Sequence, residues 1–369
     1  MAKQPKNPLL SRRGSLVAAE PGARGLEHMA RNQSCVRLAA LTLAAVSPAE
    51  VAEKVYGQSA SEGLSPFAIR RGERFELALE ADQCKRLFHL YSEAGRLRDS
   101  ENVWQDISAL YPGISALDLE KRRVASSKLI ADRAAGVKGL PNIVLKPRLL
   151  LEVMGHGHPC EPDALVARDE DTEWQIVEIK SYADRAALTD AIKTGSACRQ
   201  AAVGHLALQS TYAQLGIKVD HNEPQADLIF AKPGTNWPTL NTMSLTGEIE
   251  NLSHAFSHSA EMASQILEII GASDLDSQEV LQSLPSNPCS GCADHCPLWD
   301  DCRGEIIRSG SSSLLGDSAE ELLSGVELLS QAANLRDLGS DPDPDLNLLA
   351  QLLSASDQAY QRALGEAKA

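Results

Sequence analysis

A chain of 369 residues, 43% hydrophobic and 23% charged, can bury one large core with appendages, or two domains. Its formal net charge of −15 argues against a protein that coats duplex DNA by bulk electrostatics, although a local basic groove can coexist with an acidic exterior. The best apolar run, residues 36–46, is too short for a membrane span and contains Arg37 and Thr42. Eight cysteines, four of them crowded together, fit a metal site better than a disulfide framework, so a cytoplasmic protein is expected.

The first 30 or so residues, rich in Gly, Ser, Pro and Arg, read as loosely ordered. Lys3, Lys6, Arg12, Arg13, Arg24, Arg31 and Arg37 make them basic, which suits either a solvated tail or a nucleic-acid contact. Residues 1–64 are taken as this arm plus a helix over 35–46. Ser65 as N-cap and Pro66 in the first turn then open a helix over 67–94 with an apolar face through Phe75, Leu79, Leu87 and Tyr91. Another helix is expected over 115–135, stopped by Gly136. Strands follow at 142–145, 149–153, 161–167 and 173–180, the last two joined as a hairpin by the polar turn 168–172. Helical character returns over 186–215, with a break near Gly195, before a strand at 226–231 and a long helix at 247–270. The expected fold is thus α/β, with a core at 65–285, a cysteine loop at 286–304 and an acidic helical tail at 305–369. That tail has no assigned chemistry, only a surface for protein partners.

Two carboxylates and a lysine stand out. Pro162 and Asp163 lie on one expected strand, and Glu178, Ile179 and Lys180 on the next. Side chains two apart on a strand share a face, so Glu178 and Lys180 go together while Ile179 points the other way. In the right register Asp163 joins them. A hard cation such as Mg²⁺ or Mn²⁺ suits two carboxylates, the Ile179 carbonyl and a phosphate oxygen. Such an ion activates water, and Lys180 would orient or deprotonate that water. A solvated strand face gives the same letters, but Leu165, Val166, Ile176 and Val177 embed the carboxylates in apolar strands, where charge needs a reason.

This motif and its hairpin resemble the PD-(D/E)xK nuclease superfamily, in particular its RecB-like branch, over residues 65–231. The resemblance implies a restriction-endonuclease-like mixed central sheet flanked by helices. It also implies Mg²⁺- or Mn²⁺-dependent hydrolysis of DNA that is single-stranded or has free ends. Gly72 and Glu76 match an earlier helical element, which makes Glu76 the third metal ligand. A helical glutamine after the lysine strand positions DNA in this branch, and Gln200 stands at a suitable distance. The branch often follows it with a tyrosine, where this chain has Gly204; Gln209 and Tyr212 are the runners-up.

Cys289, Cys292, Cys296 and Cys302, punctuated by Pro288, Gly291 and Pro297, can wrap one metal centre, either zinc or a [4Fe–4S] cluster. The arrangement is similar to the iron–sulfur nucleases of the same branch, in which one cysteine precedes the core and three follow it. Cys35 holds the upstream position, so either the local four suffice or Cys35 joins three of them; with zinc, His295 could replace a thiolate. Cys84, Cys160 and Cys198 read as ordinary buried thiols, and His156 and His158 as loop residues. Two rival classes stand beside the enzyme. One is a non-catalytic scaffold of a DNA defence or repair complex, and the other is a zinc or redox protein whose motif is accidental.

Overall fold

The computed structural model describes residues 7–58, 66–98, 103–168, 170–183, 191–219, 223–235, 237–289 and 291–368. Lys3, Lys6, the Ser65 cap, Asp169 of the hairpin turn and residues 186–190 of the expected helix lie outside them. Among the described residues there are eight strands: β1 (Trp104–Asp106), β2 (Ile143–Leu145), β3 (Leu149–Val153), β4 (His156–Cys160), β5 (Ala164–Val166), β6 (Gln175–Ala183), β7 (Gln225–Ala231) and β8 (Pro238–Ser244). Six form one mixed sheet in the order β1-β2-β5-β6-β7-β8. The β1/β2 and β6/β7 pairs are parallel and the others antiparallel. β3 and β4 form a separate hairpin, turned at Met154 and Gly155, both with positive φ. The protein is therefore α/β with a mixed six-stranded sheet and many helices.

The helices up to the sheet's centre are α1 (Gly22–Arg31), α2 (Val36–Leu43), α3 (Pro48–Lys54), α4 (Pro66–Glu93), α5 (Ile107–Leu110), α6 (Ala116–Ala134) and α7 (Ala191–Gln214). After it come α8 (Thr246–Ser257), α9 (Ser259–Ile270), α10 (Gln278–Ser283), α11 (Cys292–His295), α12 (Trp299–Ser309), α13 (Asp317–Leu322), α14 (Leu329–Leu338) and α15 (Pro344–Lys368). Among the described residues no helix is long and apolar enough to cross a membrane.

Strand alternation divides the core in two. Ile143, Leu145, Ala164, Val166, Val177, Ile179 and Ile229 pack with Phe75, Leu79, Leu87 and Tyr91 of α4. Val144, Leu165, Ile176 and Leu228 join a larger cluster with α7, the β3–β4 hairpin and the amino-terminal helices. Each large apolar side chain so buried contributes roughly 1.5–3 kcal/mol. Both carboxylate strands are thus apolar on two sides.

Several expectations change here. Leu9, Leu16, Leu26 and Met29 are buried, so residues 7–31 are part of the core rather than a loose arm. Their hydrophobic spacing outweighs the glycines and arginines around them. Arg37 is buried and Arg12 and Arg13 donate to the carbonyls of Ala272 and Ala44, so these cations serve the fold. α4 is interrupted between Ala81 and Cys84, where Asp82, Gln83 and Cys84 take positive φ. α7 runs through Gly195 unbroken. The expected helix over 247–270 is two helices hinged at His258. β1, β4 and β8 are additional strands.

Candidate active site

β5 and β6 pair with Ala164 opposite Val177. Continuing that ladder by one residue sets Asp163 across from Glu178, and directly opposed residues on antiparallel strands share a face. The Ile179 amide donates to Asp163 Oδ2 at 2.6 Å, locking the aspartate against β6. Lys180 Nζ is ion-paired with Glu178 and donates to Gln200 Oε1 of α7 at 3.1 Å. One cavity is lined by Asp163, Glu178, Lys180 and Gln200. The Ile179 side chain is buried on the other face of the sheet; its amide is the contact seen here, whereas the sequence assigned its carbonyl.

The electrostatics record crowded charge. Burial pushes Glu178 up to about 7; Lys180 opposes the shift and the Asp163 charge adds to it. Asp163 is raised by burial too, against Lys180, the Ile179 amide and Lys146. Burial acts against the Lys180 ammonium, yet Glu178 and Asp163 outweigh it and raise its pKa. Lys180 is therefore a cation at neutral pH, suited to holding a water or phosphate oxygen rather than to taking a proton. Glu76 is raised by burial and then by Asp163, so it lies within the same field, although it does not line the cavity. Glu80 meets Lys146 at 2.6 Å beside it.

These donors fit a hard divalent ion by chemistry and burial: acid oxygens held out of water, with Lys180 supplying the positive charge. Among the described residues, the His, Cys, Asp and Glu ligand atoms that come within 4.8 Å of one another belong instead to Glu20, His156 and His158. The three acidic candidates are more widely spread than that.

Gln200 is the glutamine that reaches the lysine. Gln209 bonds His205 at 3.0 Å, and the Tyr212 hydroxyl accepts from the Trp174 amide at 2.9 Å, both elsewhere. Gly204, where the resemblance implies a tyrosine, stands in a tight space. A Cβ there would lie 3.1 Å from Pro162 Cγ and 3.6 Å from two Ile176 carbons, so α7 rests directly on the motif strand.

Local patterns do not place Glu20, Arg24, Arg148 and Glu161 at this cavity, although Arg24 stands in the basic amino-terminal cluster; together they complete its wall. Arg148 is ion-paired with Glu161. Only the tertiary approach of the amino-terminal segment reveals the first two. His156 and His158 sit in β4 rather than in a loop, with His158 fully buried.

The cysteine centre joins the chain's ends. Cys35, Cys292, Cys296 and Cys302 line one small pocket, and Cys289 Sγ lies 3.6 Å from Cys292 Sγ. Cys35 caps α2, and Arg37 reaches from that helix to Cys302 Sγ at 3.5 Å and to the carbonyls of Leu281 and Leu284. The Cys292 hydrogen bond leads the causes that lower Cys289 to about 6, the range of a ready thiolate ligand. Burial pushes Cys296 to about 12 and Cys302 to about 11. The hydrogen bond with Cys289, and then burial, raise Cys292, so among these thiols with a resolved shift only Cys289 is moved towards the thiolate form. Among the described residues no three of these sulfurs come within 4.8 Å of one another. A single zinc at about 2.3 Å from each sulfur would gather them to roughly 3.8 Å. Cys84, Cys160 and Cys198 are buried, with pKa values raised by burial.

No family model matches the chain, and no curated protein does. A solved structure described as "Crystal structure of SSO0001" is 13% identical, with a TM-score of 0.20, over 50% of this chain and 85% of that one.

Proposed function

We propose that this protein is a metal-dependent deoxyribonuclease of the PD-(D/E)xK type, RecB-like branch, with a restriction-endonuclease-like core and a structural [4Fe–4S] cluster. It acts in the cytoplasm on DNA that is single-stranded or has free ends. The observation that carries this reading is the convergence of Asp163, Glu178, Lys180 and Gln200 in one cavity on one face of the sheet.

Asp163, Glu178 and Glu76 would hold Mg²⁺ or Mn²⁺, which when bound stabilises charge on the phosphoryl group and acidifies water. The protein's own residues do the positioning. Lys180 holds the attacking water and offsets charge as the water oxygen bonds phosphorus and the phosphorus–sugar oxygen bond breaks. Gln200, anchored to Lys180, aligns the strand from α7. The attacking water gives up its proton to solvent, and the departing sugar oxygen takes one from solvent. Four thiolates from among Cys35, Cys289, Cys292, Cys296 and Cys302 would hold the cluster, either the local four or Cys35 with three of them. Their spread favours a multi-iron cluster over one zinc ion.

Lys180→Ala, assayed on labelled single- and double-stranded DNA with Mg²⁺ or Mn²⁺ under anaerobic conditions, is expected to lose at least about 10²-fold of the cleavage rate. Visible absorbance and fold should be unchanged. Wild-type activity in that variant would reject the assignment, and failure of the wild-type carboxylates to bind divalent metal would favour the scaffold reading.

A further inference from the structure

His156 and His158 stand two apart on β4 and so share a face of the hairpin. Glu20, delivered from 136 residues away by the segment entering α1, places Oε1 2.9 Å from His156 Nε2 and Oε2 3.2 Å from His158 Nδ1. Gly22, at φ 60°, turns the chain at this point, a conformation that costs glycine little. The imidazoles meet edge to face at 4.8 Å between centroids. His158 is 0% exposed, yet neither ring nitrogen makes a hydrogen bond of good geometry. Burying such a ring unsatisfied is costly unless something else takes its lone pair.

We propose that Glu20, His156 and His158 form a second metal site, for a divalent transition ion of the zinc class. Two imidazoles and one carboxylate are a donor set for ions that accept nitrogen, whereas Mg²⁺ prefers oxygen alone. The three ligand atoms already lie within 4.8 Å of one another. Ligands about 2.1 Å from a tetrahedral ion sit roughly 3.4 Å apart, so little movement is needed. Glu20 also lines the cavity that holds Asp163, Glu178 and Lys180, so the ion would fasten the amino-terminal segment to β4 at the edge of that cavity.

The site stands whether or not the carboxylates cleave DNA, and its test is kept separate from them. Full-length protein carrying Glu178→Gln is dialysed to equilibrium against Zn²⁺, and bound metal is counted per chain with and without Glu20→Gln or His156→Ala. One ion fewer is expected in each added variant, with excess Mg²⁺ failing to displace it from the parent. Equal zinc content in parent and variants, or displacement by Mg²⁺, would overturn the site. A second readout uses trypsin: Zn²⁺ should slow cleavage after Arg24 in the wild type and not in Glu20→Gln. An equal rate with and without Zn²⁺ in the wild type would overturn the fastening role.

Discussion

The carboxylate cavity and the cysteine pocket are built by opposite means. The first takes its principal groups from two adjacent strands and the helix that follows, a stretch of under 40 residues from Asp163 to Gln200. It concentrates like charges in a buried place, and its pKa shifts record the tension. The second gathers thiols from the two ends of the fold, Cys35 and residues 289–302, around an arginine that satisfies nearby carbonyls. One region crowds charge onto one face of the sheet; the other brings distant segments of the chain together.

Disabling a sulfur ligand should break this contrast most visibly. Cys296→Ser is expected to remove the bound cluster and lower Tm by about 10 °C or more, since metal binding energy there is folding energy. Lys180→Ala should leave visible absorbance alone. A Tm unchanged on losing Cys296 would remove the structural role.

pH sharpens the comparison further. Glu178 titrates near 7 in the fold against an ordinary 4.5, so proton binding favours the folded state between those values. Its contribution to metal-free stability is therefore present at low pH and lost as pH rises through about 7. Divalent binding runs the other way, because the ion competes with that proton. Calorimetric titration with Mn²⁺ should show affinity falling up to about tenfold per pH unit below 7 and levelling above it. A flat profile from pH 5.5 to 8 would remove Glu178 from the ligand set.

The smallest effect tests the packing of α7 at Gly204. Gly204→Ala places a methyl 3.1 Å from Pro162, and overpacking of this size costs about 1 kcal/mol or more, or about 2–4 °C in Tm. DNA cleavage should fall with it, because Pro162 precedes Asp163. An unchanged Tm would show that α7 has slack against the motif strand.

Many of the strands were legible because they carry apolar residues in short bounded runs: residues 142–145 and 149–153 contain β2 and β3, and residues 226–231 cover all of β7 but Gln225. β8, with Asn241 and Thr242 among its partly exposed residues, lacked that signature, as did β4 with its glycine, proline and two histidines. Asp163, Glu178 and Lys180 were readable because strand periodicity places them without tertiary knowledge, and Gln200 through the family resemblance. Glu20 was not, since its contact with a residue 136 positions away leaves no local pattern, and Arg24 was legible only as one of a basic cluster. Gly204 was noticed as a missing tyrosine, but the tight space around it is set by a neighbouring strand.

α1 has a consequence of its own. Its first turn, with Gly22 and Arg24, walls the carboxylate cavity, while Arg31 at its far end lies against Gly291 in the cysteine loop. Ten residues of helix make a rod of about 15 Å, and Arg199, next to Gln200, grips it midway through Glu27 at 2.6 Å. The two centres therefore share a beam. A rearrangement of the sulfur loop bears on one tip of that beam, and the other tip faces the site where a phosphodiester would lie.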